Sequence, residues 1–271
     1  MESRFIRLKN NLTIHTLIAG NPTDPPLVLV HGWPSSCLLW RKMIPALSKK
    51  FYILAPDLPG HGQSDKPADI AYDLDFLRGF IRQFYDAMNL EKASLVVHDL
   101  GGMAGLSFAV RHKDRLERLV VMNTSPYSDW HYLLSFSIFL LKQSVLTPFF
   151  LNKTIFRQVL CTGFYDTSLV SEEVVNLFIT PWINSPEGKK AFSKTIAVPP
   201  IHMVESPHSL GTIDTPSLIL WGKKDQFFPF KLARRLHQDI PGSRLVGIDG
   251  AGHFLQEEKP ERINKALMDF L

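Results

Sequence analysis

The sequence predicts an α/β fold with a mostly parallel central sheet, helices on both faces of that sheet, and an inserted helical cap. Three observations support this prediction. Short, continuous apolar runs recur along the chain, as expected for strands buried on both faces. Helical patterns lie between several of them, as crossover connections between parallel strands require. One long stretch, 127–209, contains no strand-like run.

The elements follow in chain order. The run 12–20 alternates apolar and polar residues and ends in glycine, which favours a strand. The remaining predicted strands are 26–32, 51–60, 93–99, 118–124, 216–225 and 244–250. The predicted helices are 73–89, 102–112, 229–239 and a closing helix from Pro260. We therefore expect a core of residues 1–126 and 210–271, with 127–209 as a helical cap rich in aromatic residues and prolines.

The bulk composition excludes several classes of protein. The 271 residues carry a formal net charge of +4, but the cations are scattered doublets such as Lys49-Lys50. No basic stripe predicts a nucleic-acid partner. The two cysteines, Cys37 and Cys161, lack both a disulfide framework and a metal-binding pattern. The strongest apolar run, 130–141, is too short to span a bilayer, which takes about 20 residues.

These features describe an ordinary globular enzyme. The N-terminal sequence has no apolar core of the kind found in signal peptides. We expect a cytoplasmic monomer or homodimer that acts on a small-molecule substrate and needs neither a metal nor another cofactor. We expect no nucleic-acid partner and no membrane partner.

Polar residues stand where several predicted strands end. In open α/β sheets this edge binds ligands. The residues at or shortly after these ends are His31, Asp57, Asp99, Asn123, Asp225 and His253. The sequence therefore predicts one polar site at the carboxyl edge of the sheet.

The segment "ASLVVHDLGGMAG" (93–105) is the most informative of these ends. It reads as a strand, a tight turn and a helix, with Asp99 at the turn, which is the arrangement of a nucleophile elbow. Gly101 and Gly102 follow where close packing excludes side chains. The alternative is that Asp99 only caps the helix. Asp225 and His253 weigh against that alternative, because nucleophile, acid and histidine then occur in the order of a catalytic triad.

The chain resembles the α/β-hydrolase superfamily through "HGWPSS" (31–36), "DLPGHGQSDKP" (57–67), the elbow, "WGKKD" (221–225) and "GAGHF" (250–254). The stretch "VVHDLGG" resembles the aspartate-nucleophile branch, which contains haloalkane dehalogenases, epoxide hydrolases and fluoroacetate dehalogenase. The resemblance implies that Asp99 forms an ester with the alkyl group of the substrate and that His253 then activates water. It also implies an oxyanion hole formed by the backbone N–H groups of Trp33 and Leu100. His31, His61, His98 and Asp57 are expected to brace the structure.

The substrate class rests on residues that depart from each family. Most haloalkane dehalogenases have tryptophan after the nucleophile, where this chain has Leu100, so Trp33 becomes a candidate to hold the leaving group. Fluoroacetate dehalogenase has arginines where this chain has Leu100 and Met103, which disfavours an anionic substrate. A small, neutral, apolar substrate fits best.

Three residues of the predicted cap are further candidates. "DWHYLL" (129–134) resembles the halide-binding segment of fluoroacetate dehalogenase, so His131 and Tyr132 could stabilise a leaving group or could simply lie on a helix face. Tyr165 could protonate an opening epoxide. Two alternatives stay open for the chain as a whole: an esterase-like or C–C bond hydrolase of the same fold, and a ligand-binding protein on a retired hydrolase fold.

Overall fold

The computed structural model describes residues 1–127, 132–196 and 207–271. Its centre is an eight-stranded sheet with the strand order β1-β2-β4-β3-β5-β6-β7-β8. The strands are β1 (Glu2–Arg7), β2 (Thr13–Ala19), β3 (Pro26–Val30), β4 (Tyr52–Pro56), β5 (Ala93–His98), β6 (Leu116–Met122), β7 (Ser217–Gly222) and β8 (Arg244–Ile248). The strand β2 pairs antiparallel with β1 and β4, and all pairs from β4 to β8 are parallel.

Helices occupy both faces of the sheet and the connection between β6 and β7. The described α-helices are α1 (Ile44–Leu47), α2 (Leu74–Ala87), α3 (Asp99–Arg111), α4 (Tyr132–Leu141), α5 (Thr147–Phe150), α6 (Lys153–Gly163), α7 (Glu172–Ile183), α8 (Pro186–Thr195), α9 (Pro207–Leu210), α10 (Phe230–Asp239), α11 (Leu255–Glu258) and α12 (Pro260–Phe270). Short 3-10 helices lie at Cys37–Trp40, Lys113–Arg115, Ser144–Leu146 and Thr167–Leu169.

Alternate residues of the buried strands feed two separate cores. On one face, Val28 and Val97 pack in a cluster that includes residues of α2, α3 and α10. On the other face, Leu29 and Val96 pack in a cluster that includes residues of α1 and α12. This alternation follows from the two-residue period of a strand. The predicted fold class, a mostly parallel sheet with helices on both faces, is confirmed.

The helices α4–α9 form the helical segment between β6 and β7. A third cluster joins this segment to the core, because Phe156, Phe178 and Phe192 of the helices pack with Phe254, which follows β8. Within the part of the chain that the structure describes, no helix combines the length and apolar character needed to cross a membrane. The division of the chain at 127–209 into core and cap stays a prediction.

The prediction and the structure differ at several elements, and two of these differences are informative. The strand β1 was not predicted; Phe5 on it is 57% exposed, and the strand lies at an open edge of the sheet. The helix predicted to start at 102 begins at Asp99 instead. A glycine-rich sequence reads as a turn, although here the glycines already lie in the first turns of α3.

Candidate active site

Asp99 lies at the sharp turn between β5 and α3. Its φ of +52° falls in the left-handed region, which is costly for a residue other than glycine. Neighbouring contacts hold it there: the Thr124 hydroxyl donates to the Asp99 carbonyl oxygen at 2.6 Å. A Cβ atom on Gly101 would lie 2.2 Å from the His31 carbonyl oxygen, so the backbones approach too closely for a side chain. The strained turn directs the Asp99 side chain beyond the edge of the sheet.

Two backbone N–H groups bind the Asp99 carboxylate. Trp33, in the loop after β3, donates its N–H to Asp99 Oδ1 at 2.7 Å. The N–H of Leu100, the next residue along the chain, is a second hydrogen-bond donor to this carboxylate. Fixed N–H dipoles at a carboxylate can stabilise negative charge that develops on it.

Asp225 and His253 complete the group. Asp225 follows β7, and its Oδ2 lies 2.9 Å from Nδ1 of His253. The backbone N–H groups of Phe227 and Phe228 donate to the other oxygen at 2.8 and 3.0 Å. The second imidazole nitrogen, Nε2, lies 3.6 Å from Asp99 Oδ2. Asp225 therefore orients the ring and leaves Nε2 facing the carboxylate of Asp99.

Burial and neighbouring charges act in opposite directions on these groups. Burial raises the pKa of Asp99 and outweighs the His253 ring and the N–H groups of Leu100 and Trp33, which lower this pKa. Burial lowers the pKa of His253, but Asp225, Asp99 and Glu258 together outweigh it, so this pKa is raised. The carboxylates around His253 therefore stabilise its imidazolium form by more than burial destabilises it.

Asn123, which follows β6, links the loops that carry Asp225 and His253. Its side-chain N–H groups donate to Asp225 Oδ2 at 2.6 Å and to the Gly252 carbonyl oxygen at 3.2 Å. Its Oδ1 accepts the N–H of Gly222 at 3.0 Å. The sequence marked Asn123 only by its place after a strand; its contacts, to residues about one hundred or more positions away, have no sequence signal.

The neighbouring histidines make contacts with the backbone. His98 Nε2 donates to the His253 carbonyl oxygen at 3.0 Å, and burial holds the pKa of His98 well below its usual value. His31 Nε2 accepts the N–H of Leu58 at 2.9 Å. His61 Nδ1 lies 3.1 Å from the Pro59 carbonyl oxygen. These rings fix loops around the site.

His15, Cys37 and Asp57 form a buried cluster whose atoms lie close enough to hold a metal ion. Asp57 Oδ2 lies 2.7 Å from Nδ1 of His15, and Asp57 Oδ1 accepts the N–H of Cys37 at 2.7 Å. Burial and then the Asp57 charge raise the pKa of the Cys37 thiol well above its usual value. His15 Nδ1 also lies 3.7 Å from Cys37 Sγ, so the cluster is held together by its own hydrogen bonds.

A cavity of about 370 Å³ opens beside Asp99 and His253. Its walls come from the strand-end loops and from α4, α5, α6 and α8, and they are mostly apolar. The lining residues include Trp33, Leu100, Met103, Leu141, Phe150 and Phe227. Trp33 is notable because its indole Nε1 is buried and has no hydrogen-bond partner among the residues that the structure describes.

The predicted cap candidates have different outcomes. Tyr165 is 55% exposed and is not among the described residues that line the cavity, so its ring lies outside the cavity. His131 lies outside the described residues. Tyr132 is the first residue of α4, and its side chain also falls outside the description.

Comparisons with known proteins agree with this architecture. The family model described as the alpha/beta hydrolase fold matches residues 25–155 and 171–260. Epoxide hydrolase 3 of Xenopus tropicalis is 27% identical over 287 aligned positions, which cover 98% of this chain and 77% of that protein. Haloalkane dehalogenase 2 of Mycobacterium bovis is 29% identical over 262 positions, which cover 94% of this chain and 90% of that protein.

A solved structure is similar over nearly the whole length. The meta-cleavage product hydrolase from Pseudomonas fluorescens IP01 superposes with a TM-score of 0.85 at 26% identity, covering 98% of this chain and 96% of that one. Relatives with different named activities therefore share one scaffold. The family model matches most of the chain, and the sheet order and the group Asp99–Asp225–His253 agree with it. The chain therefore belongs to the α/β-hydrolase fold family and is a hydrolase.

Proposed function

We propose that this hydrolase uses Asp99 as a nucleophile and cleaves a bond from an sp³ carbon of a small, neutral, apolar substrate through a covalent ester. The observation that carries the proposal is that the two oxygens of the Asp99 carboxylate have different partners. Oδ1 accepts the Trp33 N–H, and Oδ2 lies 3.6 Å from His253 Nε2. An ionised carboxylate can attack such a carbon without a base.

In the first step, Asp99 Oδ2 forms a bond to the substrate carbon. The bond from that carbon to its leaving group breaks, and the electron pair departs with the leaving group. The Trp33 indole N–H is the candidate donor to a departing halide, since Trp33 lines the cavity and its Nε1 is buried without a partner.

In the second step, His253 Nε2 takes a proton from water, and the resulting hydroxide attacks Cγ of Asp99. Negative charge then develops on Oδ1, which already accepts the Trp33 N–H, and the Leu100 N–H is a further donor to the Asp99 carboxyl group. The intermediate collapses, the alkoxide leaves with the proton from His253, and the product is an alcohol. Asp99 then loses its remaining proton, so the halide case consumes one water and releases one alcohol, one proton and one halide.

The first step prepares the second. In the free enzyme, burial lowers the pKa of His253, but the charges of Asp225 and then Asp99 keep it raised. Ester formation removes the Asp99 charge, so the pKa of His253 falls and its neutral form, which is the general base, becomes more populated. Ester formation therefore converts His253 from an electrostatic partner of Asp99 into the general base that hydrolyses the Asp99 ester.

The cavity favours an uncharged substrate. Leu100 and Met103 line it, and no arginine or lysine does so among the described residues. An anionic substrate would lose its hydration without gaining a charge partner. A volume of about 370 Å³ suits a small or medium-sized molecule.

A halide is favoured over an epoxide oxygen as the leaving group. An opening epoxide needs a proton donor, and no tyrosine side chain that the structure describes lines the cavity. The Tyr127 and Tyr72 hydroxyls instead donate to Asp239 and to the Pro67 carbonyl oxygen. Tyr132 keeps the epoxide alternative open, since its side chain lies outside the description.

An ester or C–C bond hydrolase is the second candidate, and the similarity to the meta-cleavage product hydrolase favours it. The residue at the elbow disfavours this second candidate, because Asp99 supplies a carboxylate and no hydroxyl. A ligand-binding protein would have no need of the oriented Asp225–His253 pair.

The decisive experiment separates the two steps. We expect a His253→Gln variant, incubated with short bromoalkanes and with epoxides, to gain the mass of the substrate-derived group on Asp99. A double variant with Asp99→Ala should gain nothing. Halide release by the wild-type enzyme would identify a dehalogenase. If the folded His253→Gln protein forms no adduct with either substrate class, the proposal is wrong.

A further inference from the structure

The carboxylate of Glu258, at the end of α11, accepts three backbone N–H groups. Its Oε2 accepts the N–H of Gly252 at 2.6 Å. Its Oε1 accepts the N–H groups of Tyr165 and Asp166, each at 2.8 Å. The residue is only 7% exposed. A buried charge that binds only main-chain donors stabilises the path of the backbone rather than another side chain.

These three donors belong to two different parts of the fold. Gly252 directly precedes His253, whereas Tyr165 and Asp166 follow α6 of the helical segment. The two parts also touch directly, because the His253 N–H donates to the Gly163 carbonyl oxygen at 2.7 Å. A Cβ atom on Gly252 would lie 2.5 Å from that same oxygen. Glu258 therefore joins the loop of the catalytic histidine to the helical segment across a close backbone contact.

We infer that Glu258 is a positioning residue for the second chemical step: it holds the His253 loop so that Nε2 reaches both the Asp99 ester and the attacking water. This inference rests on the function proposed above. The first step needs only the Asp99 carboxylate and the leaving-group donors. The second needs the imidazole in place as a base, so a shift of the loop affects hydrolysis of the ester far more than its formation.

The role requires a carboxylate. The three groups facing Glu258 are all donors, so both of its oxygens must accept. A glutamine in this place would turn its NH₂ group toward one of these N–H groups and leave at least one buried donor unpaired. The negative charge also favours the imidazolium form of His253, together with Asp225 and Asp99.

Glu257, the preceding residue of α11, offers a matched control. It is also buried, at 2% exposed, but its carboxylate pairs with Arg41 and Lys42 and makes no hydrogen bond to the His253 loop in the part of the chain that the structure describes. Glu257→Gln therefore makes the same chemical change one residue away. It removes ion pairs without removing a hydrogen bond to Gly252, Tyr165 or Asp166.

The test compares Glu258→Gln with Glu257→Gln in single-turnover reactions with a bromoalkane. In Glu258→Gln we expect ester formation within about threefold of the wild-type rate and ester hydrolysis slower by about 100-fold, the cost of a misplacement of about 1 Å. The ester should then accumulate in the intact-protein mass. Glu257→Gln should keep the wild-type ratio of the two rates. Glu258→Asp, which keeps the charge, should recover part of the loss.

A second readout does not depend on turnover. By NMR without substrate, the pKa of His253 should fall in Glu258→Gln and stay unchanged in Glu257→Gln. If both variants change the two rates equally and neither moves this pKa, the inference is wrong. If the His253→Gln protein forms no ester while Glu258→Gln still lowers the pKa of His253, the proposed function fails and the positioning role survives.

Discussion

Replacing Gly32 by alanine should disable the Asp99 carboxylate and leave the fold in place. A Cβ atom on Gly32 would lie 2.3 Å from Asp99 Oδ1 and 2.4 Å from Asp99 Cβ, whereas ordinary contacts begin at 3.4 Å. The carboxylate must therefore move by about 1 Å, which costs about 100-fold in rate when reacting atoms are misplaced. That factor corresponds to about 2.7 kcal/mol in the activation free energy.

The assay is the rate of ester formation, followed by intact mass in a His253→Gln background. Overpacking of this kind lowers the free energy of unfolding by about 1–3 kcal/mol, so a thermal melt accompanies each rate. Gly79→Ala is the control: it lies within α2, and its added Cβ meets no atom within 4 Å. It should raise the stability by about 0.5–1 kcal/mol and leave the rate unchanged. Ester formation by Gly32→Ala at the parent rate would refute the placement of Asp99 Oδ1.

Three further predictions follow from the same geometry. Trp33→Phe keeps the backbone N–H of the oxyanion hole and removes the indole N–H, which has no partner among the described residues. Ester formation from a bromoalkane should slow by about 10–100-fold, as loss of a hydrogen bond to a charged group predicts. Rapid-quench measurements should find the rate of ester hydrolysis unchanged. Equal slowing of both steps would contradict the leaving-group role. Asn123→Ala removes hydrogen bonds to Asp225 and to the backbone, so urea unfolding should give a free energy lower by about 2–3 kcal/mol; a loss below about 0.5 kcal/mol would be inconsistent with a buried hub. Since burial raises the pKa of Asp99, ester formation should be fastest above this pKa and should decline as the pH falls through it, at a midpoint above the usual value for an aspartate. A midpoint at or below that usual value, measured by single-turnover kinetics, would show that burial does not outweigh the hydrogen bonds in setting the pKa of Asp99.

The sequence was most predictive where physical constraints are local. A strand buried on both faces must be a continuous apolar run, so β3, β5 and β7 could be recognised from composition alone. The elbow could be recognised because a sharp turn packed against neighbouring backbone excludes side chains at Gly101. The exposed edge strand β1 lacked such a constraint, since only its pairing with β2 orders it.

Contacts between distant parts of the chain had no such signal. The segment "LQEEKPE" resembles an ordinary solvated helix start, yet Glu258 reaches backbone groups 92 and 93 residues away. Tyr165 is the opposite case. Its residue type fitted a proton donor, but the direction of its side chain depends on how the helical segment packs on the core, and the structure leaves its ring exposed.

The hydrogen bond from the His253 N–H to the Gly163 carbonyl oxygen has a consequence for the wall of the cavity. It ties the C-terminal end of α6 to the backbone of the catalytic histidine. The part of the wall that α6 contributes is therefore coupled to the position of the general base. A mutation that displaces the end of α6 should disturb His253 as well and so slow hydrolysis of the ester.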